Sequence, residues 1–232
     1  MVKKKLEIDD LKNLVSEIKD KKITGVNVTV PFKKAIIPFL DKLSTEAEKT
    51  QSVNTVFIKD NKIFGHNTDI IGFINAIKKI NFSVSNKRVF LLGAGGVVPS
   101  LVFALNQMNA AKIYISNRTL KKAKDLKILF PNIEIIDWGN LVASDLLINA
   151  TSIGLNKEDK IDLDFSKIGT NKFFYDVIYN PKETNFLKTG KQLGNLTENG
   201  KLMFIYQALS AFNLWHNSNM GLEENVIELL DK

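Results

Sequence analysis

The sequence contains no cysteine, so it forms no disulfide, no thiolate nucleophile and no cysteine-ligated zinc or iron-sulfur site. Its two histidines, His66 and His216, are far apart in the chain and do not make the usual metal-binding cluster. No apolar run reaches the ~20 residues that span a bilayer, and no apolar segment of a secretory signal follows the basic N-terminus. We therefore expect a cytoplasmic protein that has neither a metal centre nor a membrane span.

The charge is positive, with 32 lysines and arginines against 25 acidic residues. This excess of +7 would suit a nucleic acid or a small anionic ligand. The lysines are scattered among acids, and no aromatic residues interleave with them as a base-stacking surface requires. We therefore expect a small molecule, and not a nucleic acid, as the partner. With 44% hydrophobic residues among 232, the chain can fill one large core or two modest ones.

The order of the predicted elements indicates an α/β fold in two parts. Residues 7 to 19 have helical spacing, and "ITGVNVTV" then alternates like a strand. A helical segment broken by Pro38, a strand pair with a turn at Asp60 and Asn61, and another helix follow. From Arg88 onward, strands alternate with helices, which predicts a parallel, doubly wound sheet. The last stretch predicts two helices that pack back on the first part.

A glycine-rich turn follows the first strand of the second part, in "FLLGAGGVVPS". Gly93, Gly95 and Gly96 would let backbone N–H groups approach a pyrophosphate at the N-terminus of the next helix. Pro99 fits there because the first helical turn has no N–H partner to lose. Since Val98 takes the place of the third glycine of the dinucleotide motif, a turn without a ligand remains the alternative.

The next strand ends in "NRT", where an NAD-binding fold would carry an acidic residue for the ribose 2′-hydroxyl. Arg118 at this place favours a 2′-phosphate, and therefore NADP over NAD. An ordinary solvated arginine is the alternative interpretation.

A second group of polar residues precedes the nucleotide region, in "GVNVTVPFKK", "SVNT" and "GHNTD". Small hydrogen-bonding groups with one cation and one anion could orient a polyhydroxylated substrate, and Lys33 beside Asp69 would be a proton donor held by a carboxylate. Turn chemistry with a surface ion pair is the alternative for each motif alone. The members are Asn27, Thr29, Lys33, Asn54, Thr68 and Asp69.

Taken in order, these motifs resemble those of the shikimate dehydrogenase family. The resemblance is carried by "NVTVPFK", "VNT", "GHNTD", "GAGG", "NRT", "NATSIG", "YDVIYNPKET" and the helix from Met203 to Gln207, and it covers nearly the whole chain. It implies reduction of 3-dehydroshikimate with NADPH in chorismate and aromatic amino acid biosynthesis. It also implies a substrate-binding catalytic α/β domain, residues 1–72 and 203–232, across a cleft from a Rossmann-type NADP-binding domain, residues 73–202.

The resemblance also assigns roles to single residues. Lys33 would be the catalytic lysine and Asp69 its partner, while His66 would be structural. The substrate would be held by Thr29, Asn54, Tyr179 and Gln207. The cofactor would be held by Gly93, Ala94, Gly95, Gly96, Asn117, Arg118, Thr119, Asn149, Thr151, Ile153 and Met203.

The sequence departs from the family pattern at several places. Pro99 stands where many members carry a basic residue, and Leu202 stands where a glycine is expected beside the nicotinamide. Family members ordinarily begin with a strand, a helix and a second strand, whose first loop carries a serine pair for the substrate carboxylate. No Ser-x-Ser lies upstream of "NVTVPFK". We therefore expect either that the functional chain is longer or that substrate affinity is reduced.

Two other functions are alternatives to this reduction. One alternative is a quinate/shikimate dehydrogenase that uses NAD, which Arg118 disfavours. The other is a catalytically impaired NADP-binding protein. A homodimer is possible for any of these.

Overall fold

A computed structural model describes residues 7 to 229, apart from the side chain of Glu224. The helices are α1 (Leu11–Lys19), α2 (Phe32–Ala35), α3 (Thr45–Thr50), α4 (Thr68–Lys79), α5 (Val98–Gln107), α6 (Leu120–Leu129), α7 (Asn185–Gln192), α8 (Lys201–His216) and α9 (Glu224–Leu229). The strands are β1 (Gly25–Asn27), β2 (Lys42–Leu43), β3 (Thr55–Lys59), β4 (Lys62–His66), β5 (Arg88–Leu92), β6 (Lys112–Ser116), β7 (Glu134–Ile136), β8 (Leu146–Asn149), β9 (Phe173–Asp176) and β10 (Leu196–Glu198).

The first sheet is mixed and has the strand order β1-β3-β4-β2. β3 pairs antiparallel with both β1 and β4, and β2 runs parallel to β4. Asp60 and Asn61, at φ 51° and 57°, form the two-residue turn of the β3–β4 hairpin, as the sequence predicts. Helix α1 buries Leu11, Val15 and Ile18 against this sheet, which confirms the predicted apolar face.

The segment around Lys33 differs from its prediction. The predicted strand "ITGVNVTV" would bring Lys33 close to a strand end, but β1 ends at Asn27 and Phe32–Ala35 form a helix, so Lys33 lies on α2. Pro31 has no N–H for a sheet ladder, and the Phe32 N–H instead donates to the Thr29 carbonyl at 2.8 Å, which closes a turn. The predicted broken helix after α2 is also partly wrong, because β2 within it pairs with β4.

The second sheet confirms the doubly wound prediction. Its six strands are all parallel, in the order β10-β9-β8-β5-β6-β7. This is the order of a dinucleotide-binding fold, in which the crossovers diverge between the first and fourth strands, here β5 and β8. Ligands bind such sheets beyond the carboxyl ends of the strands at that point. The short elements α7 and β10 have no counterpart in the sequence prediction.

Helices α4 and α8 join the two halves of the molecule, which are built around the mixed sheet and the parallel sheet. They pack so closely that a Cβ added at Gly72 would lie 2.8 Å from Gln207 Cβ and 2.9 Å from the Met203 carbonyl oxygen. Both helices share one apolar cluster with the parallel sheet. The predicted domain boundaries at 72/73 and 202/203 fall inside these continuous helices, and the division itself stays a prediction. None of the helices in the described part of the chain combines the length and apolarity needed to cross a membrane.

Candidate active site

A lysine and an aspartate meet on the first-sheet side of the cleft. Lys33 Nζ lies 2.5 Å from Asp69 Oδ2, although the two residues come from separate elements, α2 and the first turn of α4. Their side chains are only 12% and 10% exposed. The predicted pair therefore forms, and it forms away from bulk water, where a charge-assisted hydrogen bond is stronger. An exposed surface ion pair, the alternative considered for the sequence, does not describe this geometry.

Asn54 orients the Asp69 carboxylate through a hydrogen bond. Its Nδ2 donates to Asp69 Oδ1 at 2.9 Å and to Thr68 Oγ1 at 2.9 Å, and its Oδ1 accepts from the Thr68 N–H at 2.7 Å. Asn54 is 2% exposed and is followed by β3, whose Thr55 hydroxyl donates to the same Oδ1 at 3.0 Å. The carboxylate of Asp69 is therefore fixed on both oxygens, one by Lys33 and one by Asn54.

The other three predicted substrate residues are placed differently. Gln207 joins the cluster from α8, because Asn54 Nδ2 lies 3.4 Å from its Oε1. Thr29 is exposed in the loop between β1 and α2. Tyr179 is 42% exposed and stacks on Phe204, with ring centroids 4.6 Å apart. Between residues 7 and 229, no hydrogen bond joins Thr29 or Tyr179 to the cluster.

The glycine turn lies between β5 and α5, as predicted. Gly93 has φ 113°, and a Cβ there would approach the Ala150 carbonyl oxygen to 2.8 Å, so only glycine fits. At Gly95 the nearest atom to an added Cβ is 3.9 Å away, so the turn is open on that side. Pro99 occupies the first turn of α5, where its missing N–H costs nothing.

The turn faces the first-sheet side across a groove. A Cβ added at Gly96 would lie 3.3 Å from Val30 and 4.0 Å from Lys33 Cδ, so the lysine stem lies against the turn. A cavity of about 360 Å³ beside this contact is lined by both halves of the molecule. Lys33, Lys34, Gly95, Gly96, Pro99 and Lys122 are part of its wall.

The "NRT" segment follows β6 at the same end of the parallel sheet. Arg118 and Thr119 are exposed, and Asn117 Nδ2 donates to the Thr119 carbonyl at 2.8 Å, which stabilises the turn into α6. Arg118 is thus placed where the sequence predicted, free to contact a ligand beyond the strand end.

The "NATSIG" loop is held in place by a buried network of side-chain hydrogen bonds. Asn149 Oδ1 accepts from the Thr151 N–H and hydroxyl at 3.1 and 2.7 Å, and its Nδ2 donates to the Ile153 carbonyl at 3.0 Å. The same Nδ2 lies 3.1 Å from both carboxylate oxygens of Asp176, to which Thr184 Oγ1 donates at 2.6 Å. Asn149 is fully buried, so it shapes the loop from inside.

Asp176 is a buried carboxylate within this network. Burial raises its pKa, while hydrogen bonds from Thr184, Ile178 and Asn149 act in the opposite direction. Met203, another predicted cofactor residue, is 6% exposed and packs in the larger apolar cluster, so little of its surface faces the groove.

His66 lies three residues before Asp69, and its hydrogen bonds stabilise the fold. Its Nδ1 accepts from the Asn67 N–H at 2.6 Å and lies 3.3 Å from Ser44 Oγ. Burial lowers its pKa from 6.5, partly opposed by Glu46. The imidazole is therefore held neutral in the fold as an acceptor.

This burial predicts acid sensitivity. The unfolded chain takes up the His66 proton at higher pH than the folded one, so stability falls as pH drops below about 6.5, by at most ~1.4 kcal/mol per pH unit for one proton. His66→Asn keeps an acceptor near the Nδ1 position and should show a shallower loss between pH 7.5 and 5.5. Urea unfolding of both proteins measures this difference. Equal pH slopes would contradict it.

Sequence reasoning missed several residues that support the site. Asn67, inside "GHNTD", and Ser100, next to Pro99, bond to each other across the cleft. Asp176 and Thr184 anchor the "NATSIG" loop from within the quoted "YDVIYNPKET" motif. The sequence drew attention to Lys34 only as the second of two adjacent lysines. A motif indicates that its residues matter, but not which of them touch each other.

The residues present fit a dinucleotide. The open face at Gly95 leaves room for a pyrophosphate at the N-terminus of α5, where the helix dipole favours an anion. The cleft at the switch point between β5 and β8, with a Lys–Asp pair opposite the glycine turn, defines a nucleotide-dependent oxidoreductase of the Rossmann type.

Comparison with known proteins defines the family within that class. The model of the shikimate dehydrogenase substrate binding domain matches residues 1–56, and that of shikimate/quinate 5-dehydrogenase matches residues 75–160. The chain is 54% identical to a shikimate dehydrogenase (NADP(+)) of Pelagibacter ubique over 97% of its own length and 85% of the relative's. The chain belongs to the shikimate dehydrogenase family.

Solved structures agree with this assignment. A shikimate dehydrogenase from Aquifex aeolicus is 35% identical, with a TM-score of 0.87 over 96% of this chain and 82% of the other. A shikimate 5-dehydrogenase from Listeria monocytogenes, in complex with shikimate and NAD, is 25% identical, with a TM-score of 0.89 over 99% and 84% of the two chains. These TM-scores show that both neighbours share the fold of this chain.

Proposed function

We propose that this chain catalyses the reversible reduction of 3-dehydroshikimate to shikimate with NADPH. The observation that carries the proposal is the Lys33–Asp69 pair, held at 2.5 Å and lying against the glycine turn at the switch point of the parallel sheet. The names of the relatives, shikimate dehydrogenase (NADP(+)), support both the substrate and the cofactor.

The chemistry follows from the charges at the site. When bound, NADPH would supply a hydride to the substrate carbonyl carbon. Negative charge then builds on the carbonyl oxygen, and the Lys33 ammonium stabilises that charge and donates the proton. Asp69 orients the ammonium, because its carboxylate oxygen lies within hydrogen-bonding distance of Lys33 Nζ. In the direction of oxidation, the neutral lysine takes the hydroxyl proton back.

Four residues are proposed to hold the substrate. Asn54 and Gln207 lie in contact next to the lysine and would bind ring hydroxyls. Thr29 and Tyr179 present their hydroxyls from exposed positions on the two sides of the cleft. They would close on the substrate carboxylate and hydroxyls only when the ligand is bound.

The cofactor is proposed to follow the carboxyl edge of the parallel sheet. The turn Gly93–Gly96 would hold the pyrophosphate, and Asn117, Arg118 and Thr119 the adenosine end. Thr151 and Ile153 would line the nicotinamide side with Met203, while Asn149 keeps their loop in shape.

Steady-state oxidation of NADPH with 3-dehydroshikimate tests the function. We expect turnover with this pair, and slower turnover with quinate and NAD in the reverse direction. NADPH binding without turnover would support the catalytically impaired alternative, and a preference for NAD would support the second dehydrogenase. Sedimentation at several protein concentrations would test the homodimer.

Arg118 should decide between the two cofactors. One charge-assisted contact to a phosphate contributes ~1.5 to 3 kcal/mol, so Arg118→Ala should raise the KM for NADPH roughly ten- to hundredfold and the KM for NADH far less. Lys121→Ala is the matched control, because it removes one exposed cation three residues further along the chain, on α6, where Lys121 pairs with Asp125. An equal loss for both cofactors would make Arg118 a fold residue.

A further inference from the structure

A buried polar bond connects the two halves of the molecule next to the active site. Asn67 immediately precedes α4, and Ser100 lies in the first turn of α5. Asn67 Nδ2 lies 2.9 Å from Ser100 Oγ, which is 3.2 Å from Asn67 Oδ1. The two residues are 1% and 0% exposed. The bond is therefore shielded from water.

The side chain of Asn67 is committed to this contact at the expense of a more usual one. An asparagine before a helix ordinarily accepts a hydrogen bond from the N–H groups of the first turn. Asn67 makes no such cap, and Asn54 Oδ1 accepts from the Thr68 N–H instead. Asn67 Nδ2 also lies 3.1 Å from Thr50 Oγ1 and 2.9 Å from the Ser52 carbonyl. One amide thus holds three segments together.

Both ends of the bond adjoin the proposed chemistry. Asn67 is two residues before Asp69, and Ser100 shares its helical turn with the residues that follow Gly96. A second, longer contact, from Ser52 Oγ to the Gly96 carbonyl at 3.5 Å, runs parallel to it. A movement at the bond therefore changes the separation between the Lys33–Asp69 pair and the glycine turn.

We propose that Asn67 and Ser100 are positioning residues that set the distance between the proton donor and the cofactor turn. The catalytic part of this inference rests on the proposed function, whereas the geometric part does not. Hydride transfer needs reacting atoms about 3 to 3.5 Å apart, and a displacement of about 1 Å can cost roughly a hundredfold in rate. A fixed bond across the cleft supplies that precision without touching substrate or cofactor.

A spin-label measurement tests the geometry directly, and the absence of cysteine makes it simple. Labels at Lys62→Cys and Lys124→Cys, both exposed, report the distance between the two halves. We expect Ser100→Ala to broaden this distance distribution and Ser144→Ala to leave it unchanged. Ser144 is the matched control, because it is 0% exposed and its hydroxyl donates within its own half, to the Val142 carbonyl at 2.9 Å. An unchanged distribution in Ser100→Ala would overturn the proposal.

Kinetics then test the catalytic part. Ser100→Ala should lower kcat roughly ten- to hundredfold, keep both KM values within about threefold, and raise the deuterium isotope effect from labelled NADPH. Asn67→Ala should lower kcat at least as much, because it also removes the contacts to Thr50 and Ser52. The double variant should lose little more than Asn67→Ala, because the Asn67–Ser100 bond is already absent in that variant. A broadened distribution with unchanged kcat and isotope effect would refute the positioning role. If the unsubstituted chain fails to turn over, the proposed function fails, and the label distances alone decide the geometric claim.

Discussion

Lys33→Ala is expected to lower kcat for 3-dehydroshikimate reduction by roughly 10² to 10⁴, the usual contribution of one general acid. In free energy this is ~2.7 to 5.5 kcal/mol of lost transition-state stabilisation. The expectation follows from the burial of the Lys33–Asp69 pair, since water cannot easily replace an ammonium whose partner is only 10% exposed. Affinity for NADPH should change only a few-fold, because the Lys33 ammonium is paired with Asp69 and is not among the groups proposed to hold the cofactor.

Two further variants make this test specific. Lys12→Ala removes an exposed lysine from α1 in the same half of the molecule and should leave kcat unchanged. Lys33→Arg keeps the charge but cannot give up its proton readily, so it should remain slow while Asp69 stays paired. Stopped-flow oxidation of NADPH at saturating substrate measures the chemical step. Near-normal kcat in Lys33→Ala would remove Lys33 from the mechanism.

The sequence missed one strand in each sheet, β2 in the mixed sheet and β10 in the parallel one, and the physical reason is strand length. The strands from Arg88 onward are bounded by glycine turns and helices, so their apolar runs are distinct. β2 and β10 have two and three residues, too few for a periodicity to appear. These strands exist because neighbouring strands offer backbone partners, which is information that no local pattern carries.

The site divides in the same way. Its residue types were predictable from the sequence. Glycine allows a positive φ, such as the 113° of Gly93, and an arginine after a strand favours a phosphate. The contacts between the site residues were less predictable. That Asn54 bonds to Asp69, or that Asn67 reaches Ser100, depends on how α4, α5 and the first sheet pack together. The sequence correctly paired Lys33 with Asp69, although it did not predict the helix on which Lys33 lies. The pairing followed from motif order and charge.

The assigned roles also explain why so much buried polar structure surrounds a small site. Each unsatisfied buried donor or acceptor costs about 1 to 3 kcal/mol, so the networks at Asn54 and Asn149 persist only because nearly every polar atom in them has a partner. Such networks hold side chains in one orientation. The loops that would touch the ligands are therefore fixed by residues that do not touch them.

Asp176→Ala is expected to reduce both stability and cofactor affinity. Removing the carboxylate leaves Thr184 Oγ1 and the Ile178 N–H without their acceptor and leaves Asn149 Nδ2 with the Ile153 carbonyl alone. We expect a loss of about 2 to 4 kcal/mol in the free energy of unfolding, less than the full sum because burying a carboxylate is itself unfavourable. Urea unfolding at constant pH measures this loss.

Cofactor affinity should fall in the same variant, because the "NATSIG" loop loses its anchor. The Asn149 side chain would no longer be bonded to the Asp176 carboxylate, so Thr151 and Ile153 would be held less firmly, and the Kd for NADPH should rise about tenfold or more. Asp145→Ala is the matched control, since Asp145 also accepts a backbone hydrogen bond, from the Arg88 N–H at 2.9 Å, at the opposite end of the sheet. It should lose some stability and keep its NADPH affinity. If Asp176→Ala binds NADPH as tightly as Asp145→Ala does, the network supports the fold alone and the loop needs no anchor to hold the cofactor.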